Sequence, residues 1–169
     1  MFSGWYDISA TQPHWDASVW MINQVRNHSI EFHSKGIKAH DLKDEKLLKV
    51  GIKHYHEMCR LCHGASGQEK EEFAKGLYPL PPKLESKGIQ AMTDAETFWV
   101  VKNGIKMTGM PAFGPTHDDD ELWGIVAYMR RLPGMKPEQY KELIESAGMQ
   151  TEKGEHEHHA EKTEHHHHQ

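Results

Sequence analysis

Two cysteines lie three positions apart in the chain, and a histidine follows the second one directly, in the segment Cys59-Arg60-Leu61-Cys62-His63. A disulfide between these cysteines would close a very small loop and would add little stability to the fold. A thioredoxin-like redox pair would need a strand before it, whereas the residues before Cys59 have a helical pattern. A structural zinc site would need a second pair of ligands, and the sequence shows none.

The histidine favours a different chemistry, which is covalent attachment of haem. Each cysteine thiol can form a thioether with one haem vinyl group, and the imidazole that follows is then a strong axial ligand for the iron. A chance occurrence is the competing interpretation, because 15 of the 169 residues are histidine. The motif predicts one covalent haem c held by Cys59, Cys62 and His63.

Met110 is the candidate for the second axial ligand. It lies in a loop, residues 109–114, and Pro111 prevents that loop from continuing a helix. A thioether is a soft ligand that raises the potential of the iron. Met107 is the competing thioether, but no proline follows it. The competing imidazoles are His54, His56 and His117.

The elements that must position these residues are short helices. Apolar periodicity and capping residues predict helices over about 15–34, 44–59, 93–103, 118–131 and 137–147. Residues 64–87 and 109–115 contain glycines and prolines with little periodicity and are predicted to be loops. We find no strand-like alternation, so the sequence predicts an all-α fold. Long loops in a compact domain usually enclose something, and a haem would account for them.

In the first predicted helix, one face is expected to be apolar and to pack against the rest of the protein. The face carries Val19, Ile22, Val25 and Ile30, and polar residues Asn23, Arg26 and Asn27 lie on another face.

Composition limits the function classes. The chain is 37% hydrophobic, has a mean hydropathy of -0.78 and carries a net charge of -5, which argues against nucleic-acid binding. No apolar run reaches the roughly 20 residues of a membrane-spanning helix, and residues 1–10 do not resemble a signal peptide. Since bacteria attach haem to such motifs outside the cytoplasm, we expect a removed leader or N-terminal anchor. The expected location is the periplasm or the outer face of the cytoplasmic membrane.

From the helix before the haem motif through Leu132, roughly 85 residues, the chain resembles class I cytochrome c. Gly51 and Tyr55 resemble the glycine and aromatic residue of that family's first helix, which pack against its last helix. Tyr128 resembles the aromatic partner on the last helix. A glycine at such a crossing lets two helices approach closely. The resemblance implies a cytochrome c fold of short helices and long loops around one haem.

Two loop segments extend the resemblance to the ligands. Pro82 resembles the proline whose carbonyl oxygen accepts a hydrogen bond from the proximal histidine, which here would be His63. Such a bond fixes the ring and makes it a better donor to iron. Residues 108–113 resemble the family's loop with the distal methionine, which favours Met110 over Met107. The segment 6–42 more loosely resembles an extension found on some membrane-linked bacterial cytochromes.

Together these observations predict a single-electron carrier, not an enzyme, whose low-spin haem has His63 and Met110 as axial ligands. Its expected partners are redox proteins that are linked to the membrane. One alternative is a cytochrome subunit of a membrane oxidoreductase complex, with the N-terminal extension as the contact. Another is a haem enzyme that reduces peroxide or a nitrogen oxide if Met110 leaves the iron. The predicted organisation is an extension at 1–42, a cytochrome c domain at 43–134, a short helix at 135–149 and a disordered tail at 150–169.

Three further features have competing interpretations. Trp99 and Trp123 are predicted to be packing residues of the haem pocket, with electron relay as the alternative. The acidic run 118–121 fits a helix N-terminus better than a docking patch for a basic partner. The tail is a candidate site for divalent Cu, Ni or Zn, with an expression tag as the competing interpretation. Its histidines are His156, His158, His159 and His165, His166, His167, His168.

Overall fold

The computed structural model describes residues 7–149, and this part of the chain folds into helices without a β-sheet. One π-helical turn, Tyr55–Cys59, connects the second and third helices. The helices are α1 (Asp16–Ser34), α2 (Glu45–His54), α3 (Arg60–His63), α4 (Glu72–Lys75), α5 (Lys87–Gln90), α6 (Asp94–Asn103), α7 (Asp119–Met129) and α8 (Pro137–Ser146). The prediction of an all-α fold is confirmed. The single-turn helices α4 and α5 lie at segments that the sequence predicts as a loop or leaves without a helix.

Helices α2, α6 and α7 begin at the polar residues that the sequence indicates. The Asp44 carboxylate accepts a hydrogen bond from a backbone N–H of the first turn of α2, at 2.8 Å. Thr93 and Glu96 form a reciprocal capping box at the start of α6, and Asp118 and Glu121 form another at α7. Side-chain oxygens at these positions satisfy N–H groups that the helix itself leaves unbonded. The acidic run 118–121 therefore has a structural explanation at the helix N-terminus.

The core forms where α2 crosses α7. Gly51 and Gly124 meet at the crossing, and Leu48, Ile52 and Ile125 beside them are at most 1% exposed. Burying such side chains is the main favourable contribution to folding. The crossing also brings the π-helical turn beside the end of α7, where the Tyr55 and Tyr128 rings lie 4.6 Å apart. The cysteine motif begins at the last residue of this turn.

Helix α1 packs against α6, but with a different face from the predicted one. Ile30 is 7% exposed as expected, whereas Ile22 and Val25 are 52% and 67% exposed. Asn23 and Arg26, which were expected on another face, are half-buried. The prediction of one apolar inner face is therefore wrong for half of its members.

The contacts of α1 with the rest of the protein explain this rotation. Ser34 is buried near the end of the helix. The His33 ring stacks on Trp99 of α6 at 5.7 Å between centroids, and beyond the helix His40 stacks on Trp123 at 5.1 Å. The stacking of His33 on Trp99 turns this side of α1 toward α6, and apolar periodicity carries no information about such contacts.

Helix α8 packs across the other end of the core. Tyr140 and Ile144 are at most 2% exposed, and the Tyr140 hydroxyl hydrogen-bonds His56 Nδ1 at 2.8 Å. Just before α8, the Met135 carbonyl accepts a 2.6 Å hydrogen bond from Ser66 Oγ. The segment after α7 thus holds the loop that follows the cysteine motif.

Candidate haem attachment site

The cysteine motif lies on the π-helical turn and α3. Cys59 is buried, at 8% exposure, whereas Cys62 and His63 are half-buried. The helix ends at Gly64, whose φ of 75° suits glycine. The Tyr55 hydroxyl donates a 2.7 Å hydrogen bond to the Gly64 carbonyl oxygen, so the buried tyrosine ties the end of the motif to its beginning.

Burial disfavours the thiolate form of both cysteines. Burial raises the pKa of the Cys59 thiol to about 12, and the neighbouring Cys62 adds to this effect. Burial also raises the pKa of Cys62. Disulfide exchange and metal binding use thiolates, which lowered pKa values favour. Nor does any group of three or more His, Cys, Asp or Glu side chains within residues 7–149 have an arrangement that could hold a metal ion.

The orientation of the His63 ring is set by a backbone carbonyl. His63 Nδ1 lies 2.9 Å from the Pro82 carbonyl oxygen. Because that oxygen can only accept, Nδ1 must carry the hydrogen, and Nε2 keeps its lone pair for a metal. Burial lowers the pKa of His63, while the hydrogen bond to Pro82 opposes this effect. A neutral ring with a free Nε2 is the form that binds iron.

The loop around Met110 is fixed on both sides of that residue. The Ile105 N–H donates to the Met110 carbonyl at 3.1 Å, and the Met110 N–H donates to Thr108 Oγ1 at 3.1 Å. Thr108 Oγ1 in turn donates to the Ile105 carbonyl at 2.8 Å. Gly104, with a φ of 67°, lies so close that a Cβ there would come within 2.8 Å of the Met110 oxygen. The Met110 backbone is therefore anchored to the end of α6.

Met107 has a different environment from Met110. Its side chain is 93% exposed and its φ is 61°, a left-handed conformation that is uncommon for residues other than glycine. Met110 is half-buried. A solvent-directed thioether is poorly suited to an internal ligand, so the structure favours Met110 of the two methionines.

The competing imidazoles have partners of their own. His54 Nε2 lies 3.3 Å from Glu121 Oε1, and His56 bonds Tyr140 as described above. His117 Nδ1 lies 2.8 Å from the Thr116 hydroxyl. Each of these three histidine rings therefore contacts another side chain, at the surfaces of α2, α7 and α8.

The two tryptophans have packing partners. Trp123 is 2% exposed and stacks on Phe98 at 4.2 Å between centroids, with His40 on another side. Trp99 is half-buried under His33. Packing is the interpretation that these contacts favour. The histidine-rich tail, including His156, lies outside the described residues.

Sequence reasoning did not identify the residues that hold the Met110 loop. Gly104 was expected only as the end of a helix, yet its backbone contacts residues 110–112. Its position after a predicted helix was the available signal. No local pattern indicated that Ile105 and Thr108 would bond Met110, because these bonds depend on how the chain turns after α6.

The donor set and the fold fit one cofactor. Two thiols on consecutive turns, an imidazole with a free Nε2 and a thioether on an anchored loop are the groups that hold haem c. The elements thus define an all-helical protein that carries a covalent haem. Residues 46–129 match the family model described as cytochrome C oxidase, cbb3-type, subunit III. Residues 46–129 therefore form a monohaem c-type cytochrome domain, which implies haem-based electron transfer.

Such domains are electron carriers or subunits of redox complexes. No curated protein matches the chain. Among the described helices, none is both long enough and apolar enough to cross a membrane.

Proposed function

We propose that this protein carries single electrons on a low-spin haem whose iron is bound by His63 and Met110. The observation that carries the proposal is the 2.9 Å hydrogen bond from His63 Nδ1 to the Pro82 carbonyl, which leaves Nε2 free for iron. The anchored backbone of Met110, beside the exposed Met107, supports the second ligand. With both axial positions filled, a substrate has no open position on the iron.

The residues of the chain have separate roles in this proposal. Cys59 and Cys62 hold the haem through thioethers, which keep it in place in both oxidation states. The Pro82 carbonyl fixes the His63 ring, and the bonds from Ile105 and Thr108 hold Met110. When bound, the haem supplies a one-electron couple between ferric and ferrous iron. Because the ligands sit on fixed backbone, little rearrangement should accompany electron transfer.

The test is the absorption spectrum of the purified protein, oxidised and then reduced. A sharp low-spin spectrum together with the weak far-red band of methionine on ferric haem would support the proposal. A high-spin spectrum with ready binding of cyanide or carbon monoxide would contradict it and would favour reduction of peroxide or a nitrogen oxide. Absence of haem, after expression with a cytochrome c assembly system, would contradict the whole assignment.

A pair of variants identifies the methionine. Met110→Ala should abolish the far-red band, whereas Met107→Ala should keep it because the Met107 side chain is 93% exposed. The reverse result would contradict the assignment of Met110.

A second proposal concerns the setting of the protein. The matching family model is described as a subunit of an oxidase, and α1 exposes Met21, Ile22, Val25 and Phe32 along one side. We infer that the protein works as a subunit of a membrane oxidoreductase on the outer side of the membrane, with α1 as the contact. Co-purification from detergent-solubilised membranes should then be lost on Ile22→Ser plus Val25→Ser, and a haem spectrum would show that the variant has folded.

A further inference from the structure

The proline segment that orients His63 is held by a lysine. Lys70 Nζ donates a 2.9 Å hydrogen bond to the Pro81 carbonyl oxygen, and the next carbonyl, that of Pro82, accepts from His63. Neither proline has an N–H group, so these carbonyls are the backbone groups through which the segment can bond. Two consecutive carbonyl oxygens are thus engaged by an ammonium group and by the proximal ring.

This arrangement brings a positive charge close to the site. Two hydrogen bonds to neighbouring carbonyls place the Lys70 ammonium within about 10 Å of the His63 ring. Lys70 is half-buried and lines one cleft with His63 and Glu85. In the described part of the chain Lys70 forms no ion pair, and Glu71 beside it pairs with Arg60 at 3.3 Å. Its charge is therefore not offset by a bonded carboxylate.

The Lys70 charge acts on the same site as the His63 ring, because both residues line one cleft. A cation this close disfavours added positive charge on an iron bound to the ring, since like charges repel.

We propose that Lys70 is a positioning residue that raises the reduction potential of the haem, by its charge and by holding the Pro81–Pro82 segment. Reduction adds one electron from the reductant and removes one unit of positive charge from the haem, and no bond forms or breaks. A nearby fixed cation therefore destabilises the ferric form more than the ferrous form. This inference rests on the proposed ligation by His63.

The test is a spectroscopic redox titration of the haem-loaded protein with four variants. Lys70→Gln removes the charge but keeps a hydrogen-bond donor, and Lys70→Met removes both. We expect either variant to raise the ratio of oxidised to reduced protein at a fixed ambient potential by about threefold to tenfold. For a one-electron couple, a tenfold change in this ratio corresponds to about 59 mV. The reduction potential of the haem should therefore be lower by about 30–60 mV.

Two matched controls show whether the potential depends on the charge at position 70 or on any lysine of the cleft. Lys70→Arg keeps the charge and should stay close to the unmodified protein. Lys83→Gln removes an exposed lysine from the same cleft and should have a much smaller effect, since exposed charges are screened by water and salt. A shift by Lys70→Arg as large as that by Lys70→Gln, or an equal shift by Lys83→Gln, would overturn the proposal.

The experiment distinguishes failure of the proposed iron ligation from failure of the proposed role of Lys70. Loss of the low-spin spectrum in the unmodified protein would remove the proposed function. An intact spectrum in all four variants with an unchanged potential in Lys70→Gln and Lys70→Met would remove only the role of Lys70.

Discussion

Gly51 of α2 and Gly124 of α7 lie backbone to backbone, and neither position has room for a side chain. A Cβ on Gly124 would lie 2.6 Å from the Leu47 carbonyl oxygen and 2.9 Å from the Gly51 nitrogen. Backbone atoms at these distances cannot move aside as the end of a flexible side chain can. The crossing of α2 and α7, and with it the position of the cysteine motif that follows α2, depends on this pair of glycines.

Gly124→Ala should therefore be strongly destabilising. We expect the free energy of unfolding to fall by about 3 kcal/mol or more, because the added methyl group must push the two helices apart. Urea unfolding followed by far-UV circular dichroism measures the change. Gly88→Ala in α5 is the matched control, since nothing lies within 4 Å of a Cβ there. Similar losses in both variants would contradict this account.

Gly104 connects the end of α6 with the loop of the proposed ligand. In Gly104→Ala a Cβ would lie 2.8 Å from the Met110 oxygen and 2.7 Å from the Pro111 carbonyl carbon, at a φ of 67°. We expect the far-red band to weaken or disappear as Met110 moves.

Gly134→Ala is the control for this experiment. Gly134 has a similar φ of 76°, but nothing lies within 4 Å of a Cβ there. It should cost about 1–3 kcal/mol from backbone strain alone and keep the band. A band retained in Gly104→Ala would show that the loop does not depend on this contact.

Buried tyrosines should make the protein sensitive to alkali. Burial raises the pKa of Tyr128 above the ordinary value of 10.0, with smaller effects from Tyr55 and Tyr140. Above pH 10 the unfolded chain therefore releases a proton that the folded protein keeps, so stability falls as pH rises. Each such tyrosine contributes a loss of up to about 1.4 kcal/mol per pH unit.

Tyr128→Phe removes one of these groups. Within residues 7–149 its hydroxyl donates a hydrogen bond only to Met135 Sδ, at 3.8 Å, so little is lost at neutral pH. Between pH 9 and pH 11 the variant should lose about 1.4 kcal/mol less free energy of unfolding than the unmodified protein. Urea titrations at both pH values measure this difference, and equal losses would contradict it.

Helix α8 lies outside the matched residues 46–129, yet it completes the core. Ile144 is fully buried, so Ile144→Ala should lower the free energy of unfolding by about 2–4 kcal/mol and leave the haem spectrum unchanged. Lys141→Ala, on the exposed side of α8, should change the stability by less than about 0.5 kcal/mol. An Ile144→Ala variant as stable as the Lys141 control would mean that α8 is not part of the folded core.

Most helices could be predicted because capping residues mark where they begin. Asp44, Thr93 and Asp118 act as caps, and their positions in the sequence are sufficient to locate the starts of α2, α6 and α7. The cysteine motif likewise indicates its own chemistry. The crossing of α2 and α7 could be predicted only from the resemblance to class I cytochrome c. The sequence alone does not show that Gly51 and Gly124 lie against each other.

Features that depend on distant contacts could not be predicted. Arg130 lies inside the predicted helix 118–131, and no local pattern indicates its partners. In the structure it donates to Asp94 Oδ1 and to the Met92 carbonyl, both at 2.7 Å, and so joins α7 to the start of α6. Lys70 is a similar case, because its partner Pro81 lies eleven residues away in a loop.

The π-helical turn at Tyr55–Cys59 has a consequence for insertions and deletions in this chain. The Arg60 N–H bonds the Tyr55 carbonyl, five residues back, so this turn contains one residue more than an α-helical turn. Deleting the exposed Glu57 would permit a continuous α-helix in which everything after that point is rotated by about 100°. The helix would gain regular hydrogen bonding, but the His63 ring would no longer face the Pro82 carbonyl oxygen. Removal of one residue would therefore make the helix more regular and would displace the haem attachment site.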